Sequence, residues 1–361
     1  MAMAAGRIAD GGRYRFRSAN GAPPAPCGIF HRVSIDLHDA SPDPGARCPL
    51  CEDMRQHRLV EEIPNRVLRE ILAADWGIRI PEAIALRNAP EAACRLLECS
   101  SCGLRFFARA KAGDAGYYGA LSVAAKYYTP TRWEFGWVKR RLQPGASILD
   151  VGCGPGKFLS EIAAVASRAV GLETNASVVE DACRNGLEVY LGELGTFAPE
   201  NAGKFDVACA FHVLEHVEAP VAFLRSLASC VRPGGTVYLS VPNRERSEKA
   251  PVEPLDCPPH HLHRWGSEQL RVVGRISGIP LREIAFEPVD IRVPRDRLRA
   301  AVTRSLGRIP FAGDFFSLWT GRFLWRLILS PPLWKLYCRR GILERMGYFG
   351  HSVLAAFSCP E

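Results

Sequence analysis

The chain has 361 residues, 47% of them hydrophobic and 23% charged, with a formal net charge of +8. This length exceeds one minimal domain, so one large domain with attachments is expected, and the composition is ordinary for a soluble globular protein. Residues 1–17 hold no apolar stretch of signal-peptide type and no uncharged apolar run reaches 18 residues, so neither a secretory leader nor a membrane-spanning helix is expected. Thirteen cysteines, an odd number, point to a reducing compartment, with the cytoplasm as the default and thiols used for metal or packing. The charge is uneven. Residues 291–345 carry twelve Lys or Arg against three Asp or Glu, leaving the remainder near neutral.

Residues 1–46 are rich in Gly, Ala, Pro and Arg and read as a disordered arm with a short strand near Gly28–Leu37. The basic cluster Arg13, Arg15, Arg17 reads as solvated tail. Residues 47–110 contain Cys48-Pro49-Leu50-Cys51, answered by Cys99-Ser100-Ser101-Cys102-Gly103. Two such pairs match the four-thiolate geometry of a structural zinc site, with Cys48, Cys51, Cys99 and Cys102 as ligands. Arg95–Glu98 and Leu104–Phe107 should flank the second pair as a hairpin. The 47 residues between the pairs must form an insertion, with a helix over Asn65–Ala74. Cys94 and His57 are expected to pack rather than to ligate.

Residues 111–288 alternate strand and helix signals. Ser147–Asp150 is a short apolar run ending in an acid, and Gly152, Gly154 and Gly156 follow at alternate positions. Helical spacing of Phe158, Leu159, Ile162, Ala163 and Val165 comes next. This is a buried strand, a Gly turn and a helix start, an arrangement that brings a ligand against backbone N–H groups. A dinucleotide fingerprint would need glycine at Lys157, which disfavours a nicotinamide enzyme. Further strands are expected at Ala169–Glu173, Leu187–Tyr190, Phe205–Phe211, Thr236–Val241 and Leu281–Phe286, with a helix over Ser267–Gly278. Glu173 ends the second strand, 21 residues after Gly152. At that offset a carboxylate accepts from ribose hydroxyls.

The run Asp150-x-Gly152-x-Gly154-x-Gly156 resembles motif I of class I S-adenosylmethionine-dependent methyltransferases. Pro233-Gly234-Gly235, a strand, then Pro242-Asn243 is similar to a further signature of that group. The resemblance implies an α/β fold, a doubly wound, mostly parallel seven-stranded sheet, with Ser352–Ser358 as the returning last strand in residues 346–361. It further implies that Asp150, Gly152, Gly154, Gly156, Glu173 and His212 converge on S-adenosylmethionine. Glu193 would meet the adenine amino group and Arg132 the methionine carboxylate, where a guanidinium suits the anion. The cysteine module resembles the zinc ribbon preceding the catalytic domain in a subset of these enzymes, where an aromatic stretch follows, as Tyr117-Tyr118 and Tyr127-Tyr128 do here. A closed four-cysteine site is structural or helps hold substrate.

His212-Val213-Leu214-Glu215-His216 should start a helix with the two histidines one turn apart. It resembles the Glu-x-x-Glu-His segment of quinone-biosynthesis O-methyltransferases and small-RNA 3′-end methyltransferases, where the segment binds a divalent cation. Here His212 replaces the first Glu. A second His-rich stretch, Pro258-Pro259-His260-His261-Leu262-His263, lies beyond the fifth strand. Three readings stand for it: His260 or His261 as general base with His212 nearby, completion of a metal site with His212, Glu215 and His216, or a hydrogen-bonded lid. No Asn/Asp-Pro-Pro-Tyr segment follows the fourth strand, which favours O-methylation over the amide N-methylating groups.

Residues 289–345 form a basic, aromatic helical insertion, including Phe315-Phe316-Ser317-Leu318-Trp319 and Arg322 with Arg326. It reads as a cap over the acceptor pocket or as an interfacial helix at the inner face of a membrane, suiting a small or lipid-linked acceptor. Its greasy composition makes nucleic acid unlikely. Against the enzyme stands a noncatalytic binding protein of the same fold, acting through its ribbon and cap.

Overall fold

A computed structural model describes residues 45–55, 57–122, 132–246, 252–288 and 349–360. The expected N-terminal arm, the Tyr127-Tyr128 pair and the basic insertion lie outside these residues, apart from positions 45 and 46.

The first layer is a four-stranded sheet. β1 (Arg58–Pro64) leads into α1 (Asn65–Ile71), which widens into a π-helical turn at Leu72–Trp76 and stops at Gly77, where the left-handed φ of 67° suits glycine. After α2 (Glu82–Asn88), β2 (Ala93–Glu98) and β3 (Arg105–Phe107) form the expected antiparallel hairpin around the second cysteine pair. The sheet order is β1-β2-β3-β9, and β9 (His263–Arg264) arrives from far along the chain.

α3 (Ala115–Ser122) and α4 (Trp133–Lys139) lead into the second sheet. Its elements are β4 (Ser147–Val151), α5 (Lys157–Ile162), β5 (Arg168–Glu173), α6 (Ala176–Arg184), β6 (Glu188–Leu191), α7 (Leu194–Glu200), β7 (Phe205–Phe211), α8 (Pro220–Ser229), β8 (Val231–Pro242), α9 (Ser267–Ser277), β10 (Leu281–Phe286) and β11 (Ser352–Ser358). The order is β10-β11-β8-β7-β4-β5-β6. β4 through β8 run parallel, and β11 inserts antiparallel between β8 and β10. This is the expected seven-stranded, mostly parallel α/β sheet. The strand β7, Phe-Asp-Val-Ala-Cys-Ala-Phe, is buried almost throughout because both its faces are covered, as in any central parallel strand. Among the described residues no helix is long and apolar enough to cross a membrane.

Two local expectations are corrected. The segment His212–His216 does not start an α-helix: His212 is left-handed (φ 55°) and only Leu214–His216 turn, as a single 3₁₀ turn. Strand β8 also begins earlier than Thr236, because Val231 already pairs with Phe205 ahead of the Gly234 turn.

Candidate active site

The parallel strands deliver their carboxyl ends to one edge, where α/β sheets hold ligands. At the end of β4 the three glycines have φ of 70°, 53° and 75°, conformations that side chains disfavour. A Cβ on Gly152 would lie 2.5 Å from Val213 Cγ2, and one on Gly156 2.3 Å from Leu187 Cδ1. The Gly loop therefore fits directly against the His212–His216 turn. Glu173, at the tip of β5, accepts from Gly154 N–H at 3.0 Å through Oε2 and from the N–H groups of Thr174 (2.7 Å) and Asn175 (3.1 Å) through Oε1. These three backbone donors, with Thr174 Oγ1 at 3.3 Å as a fourth donor, fix this carboxylate beside the loop. Asp150 is buried beneath, its Oδ1 has no partner among the described residues, and burial and the neighbouring Glu173 push its carboxyl well up. Glu193 is exposed at the start of α7, next to the β5 tip, where Gly192 N–H donates to Glu173 C=O at 3.0 Å. The loop and carboxylates thus fit a nucleoside cofactor with a ribose diol. Arg132 precedes α4, and its charge opposes protonation of His212.

Across the loop lies a network of buried titratable groups. His212 Nε2 meets Glu134 Oε1 at 2.9 Å, and Ser352 Oγ donates to the same oxygen at 2.8 Å. Burial and Arg132 oppose the imidazolium of His212, but Glu134 and Glu215 prevail and raise its pKa. The backbone N–H of His212 donates to Ser240 C=O at 2.9 Å, so main chain and ring are both held in the unusual left-handed conformation. Glu215 is 1% exposed, and neither of its oxygens accepts a hydrogen bond of normal length among the described residues. Its nearest partners are His212 Nδ1 at 3.5 Å and His261 Nε2 at 3.8 Å. Burial pushes the Glu215 carboxyl up, but His212, His216 and His261 outweigh it and bring it to about 2.

Three imidazoles then gather, with His216, His260 and His261 ring centroids 4.5–4.8 Å apart. Each has its Nδ1 against an acceptor: His216 on His260 C=O (2.6 Å), His260 on Leu255 C=O (2.8 Å) and His261 on Asp256 Oδ1 (3.2 Å). An Nδ1–H donating to a fixed acceptor leaves the neutral ring's lone pair on Nε2. Asp256 is itself bonded to buried Arg246. Burial pushes the Asp256 carboxyl up, but His261 and Arg246 hold it far below the usual range. Tyr118 Oη approaches His216 Nδ1 at 3.3 Å.

Of the expected set His212, Glu215 and His216, His216 joins His260 and His261 in a candidate ligand group, and Glu215 lies 3.8 Å from His261. Glu134 occupies His212, and His216, His260 and His261 offer atoms within 4.8 Å of one another. Glu134, Asp256 and Arg246 escaped sequence reasoning, and Tyr118 was read only as part of an aromatic stretch. Of these three, only Asp256, an acid four residues before a His pair, left any signal.

The four cysteines converge as expected, with their sulfurs all within 4.8 Å and Cys48–Cys102 and Cys51–Cys99 at 3.5 Å. These separations exceed a disulfide bond and approach the roughly 3.8 Å between sulfurs of a tetrahedral zinc site with bonds of about 2.3 Å. The two turns are alike. Cys48 N–H donates to Asp53 C=O and Glu52 N–H to Cys48 C=O, while Cys99 N–H donates to Leu104 C=O and Gly103 N–H to Cys99 C=O, all at 2.9 Å. Glu52 and Gly103 both take a left-handed φ. Cys94 packs, donating to Asn65 Oδ1, and His57 meets Ala46 C=O.

Residues 128–278 match the methyltransferase-domain family. The chain carries a class I methyltransferase domain. It is distantly related to the ubiquinone biosynthesis O-methyltransferases of Xanthomonas axonopodis pv. citri, 35% identical over 122 residues (32% of this chain, 50% of the relative), and Vibrio parahaemolyticus, 37% identical over 106 residues (28% and 45%). The chain spans about half the length of these curated relatives. A solved S-adenosylmethionine-dependent methyltransferase from Mesorhizobium loti superposes with a TM-score of 0.41 at 15% identity, covering 62% of this chain and 97% of that one. The methyltransferase domain contains the Gly loop, Glu173, the His212–His216 turn and His260–His263, whereas the four cysteines lie outside the matched residues.

Proposed function

We propose that the chain is an S-adenosylmethionine-dependent O-methyltransferase acting on a small or lipid-linked hydroxyl acceptor, with zinc in the four-cysteine site. The carrying observation is the contact of Gly152 with Val213, which sets the cofactor loop directly against a buried histidine cluster. Glu173 binds the ribose hydroxyls, Glu193 the adenine amino group and Arg132 the methionine carboxylate. When bound, the cofactor supplies an activated sulfonium methyl, so the protein's task is to align the acceptor and remove its proton. His261 suits that task. Its Nε2 lone pair faces Glu215 at 3.8 Å, and a proton gained there lies between Glu215 and the Asp256 that holds Nδ1. His260 lines the same cluster, and His212, paired with Glu134, orients the turn. The O-methyltransferase relatives support a hydroxyl acceptor.

In a second reading His216, His260 and His261, with Glu215 beside them, would hold a divalent cation; the three histidines offer ligand atoms within 4.8 Å of one another. Imidazoles whose Nδ1–H groups are tied to carbonyl or carboxylate are the usual ligand design. Its chemistry would be to lower the acceptor's pKa.

The test is cofactor consumption with extracts of the native organism, followed by mass detection of a +14 Da product. Turnover that survives a chelator selects the histidine base, and turnover restored only by added Mg²⁺, Mn²⁺ or Zn²⁺ selects the cation. Absence of S-adenosylmethionine binding by calorimetry would leave the noncatalytic binding role instead. Co-sedimentation of the full chain with anionic liposomes tests the membrane role of residues 289–345.

A further inference from the structure

The sheet of the four-cysteine module does not end within that module. β3 leaves the second cysteine turn two residues after Gly103 and pairs antiparallel with β9, placing Arg105 opposite Arg264 and Phe106 opposite His263. Phe107 N–H donates to Leu262 C=O, and Gly113 N–H donates to Pro259 C=O, both at 3.0 Å. Arg264 Nη1 reaches back to Glu61 Oε2 on β1 at 3.0 Å.

The opposite side of the same loop is bonded to the histidine turn. Leu262 N–H donates to Glu215 C=O at 2.8 Å, and His216 Nδ1–H donates to His260 C=O at 2.6 Å. Residues 259–264 are therefore a middle layer, with the cysteine module outside and the Glu215–His216 turn inside. The cysteine turn itself is gripped from the methyltransferase domain: Gln269 Nε2 donates to Cys102 C=O at 3.1 Å and Arg244 Nη1 to Gly103 C=O at 2.5 Å. Arg244 N–H also donates to Trp265 C=O at 2.7 Å, closing the circuit at the end of the loop.

A loop opening with two prolines and carrying adjacent histidines has no intrinsic reason to hold both rings in one place. Backbone pairing on both sides supplies that order, and the outer pairing depends on a strand anchored by Cys99 and Cys102. We propose that the four-cysteine module is the positioning brace of the acceptor site: ion-locked cysteine turns set β3, and β3 sets His260 and His261. Gln269 and Arg244 are the positioning residues that couple the turn to the methyltransferase domain. The inference rests on the proposed function for its kinetic readout and for the zinc that locks the cysteine turns.

The test is amide exchange of the full chain, read by mass spectrometry, for Cys99→Ser/Cys102→Ser and for Arg244→Met/Gln269→Leu, which keeps all four thiols. Both should speed exchange of residues 258–265 by about tenfold or more, as expected when a local opening is made easier. Residues 147–173 should stay protected and the affinity for S-adenosylmethionine should stay within about twofold. The Arg244/Gln269 variant should keep its zinc while kcat falls and the cofactor KM holds, and Arg244→Lys should recover most of the protection. Unchanged exchange at 258–265 in the Arg244/Gln269 variant would overturn the brace, and this variant decides the matter even where loss of the cysteines unfolds the chain. Coupled exchange in a protein that never consumes S-adenosylmethionine would sink the methyltransferase reading and leave the brace standing.

Discussion

Gly152 and Val213 touch so closely that the glycine has no room for a methyl group: a Cβ would sit 2.5 Å from Val213 Cγ2. One residue thus joins the cofactor loop to the turn that carries the histidines. Gly152→Ala should cost about 1–2 kcal/mol through its left-handed backbone alone. It must also push Val213 back by roughly 1 Å to restore normal carbon contact. The expected result is a lower melting temperature together with weakened S-adenosylmethionine binding. An alanine variant that binds the cofactor normally would separate loop from turn.

Glu173 is held by three backbone donors before any ligand arrives. Glu173→Ala removes the acceptor for ribose hydroxyls and releases Gly154 N–H, so cofactor affinity should fall by about 1–3 kcal/mol, the range for hydrogen bonds to a charged group. Isothermal titration measures this directly. Unaltered affinity would remove Glu173 from the cofactor site.

His261→Ala should leave cofactor affinity unchanged while reducing kcat by about 10²–10⁴, the usual contribution of a general base. Asp256→Asn should act in the same direction but more weakly, because it disturbs the orientation of the ring rather than removing it. Single-turnover rates with the identified acceptor check both.

The pH dependence of stability follows from the buried imidazoles. Burial brings His216 and His263 down to about 4 and pushes His260 well below its usual value. Between pH 6.5 and about 4 the unfolded chain binds protons that the folded chain refuses, so stability falls as pH falls. For fully buried His263 the loss reaches up to about 3 kcal/mol over that window. His212 acts oppositely: its raised pKa gives a contribution complete below its unfolded value and lost as pH rises through the folded one. The neutral histidines outnumber it, so melting temperatures of metal-free protein should drop between pH 7 and 5. His263→Gln should flatten that slope, and a slope unchanged in this variant would show that His263 ionises without cost.

Glu134 and His212 form a buried pair that spans 78 positions of sequence. Glu134→Ala strands the histidine and should destabilise the fold by about 3–5 kcal/mol, as removal of one partner of a buried ion pair does. Urea titration at pH 6 reads the change.

Much of the site was legible in local sequence. Asp150 through Gly156 encode a strand, a turn and a helix start because glycine is needed where φ is positive. Glu173 was legible because a strand of fixed length after a helix of ordinary length puts its tip beside that turn. The cysteine pairs were legible because two sulfurs flanking one tight turn have few other uses. The helix expected at His212–His216 failed for a tertiary reason: Glu134 and Ser240 hold His212 left-handed, and neither is near it in the chain.

The sequence by itself therefore determined where the strands of the larger sheet fall along the chain, the Gly loop with its distal carboxylate, and the pairing of the four cysteines, all legible from short segments and their spacing. Only the tertiary structure decided that His263–Arg264 complete the sheet of the cysteine module. It alone decided that Asp256 and Arg246 stand behind His261, and that the rings of His216, His260 and His261 gather in one cluster beside Glu215. Hydrophobic pattern says which face of a strand is buried but not which edge it will meet, and a polar side chain far along the chain becomes a partner only when packing brings it there.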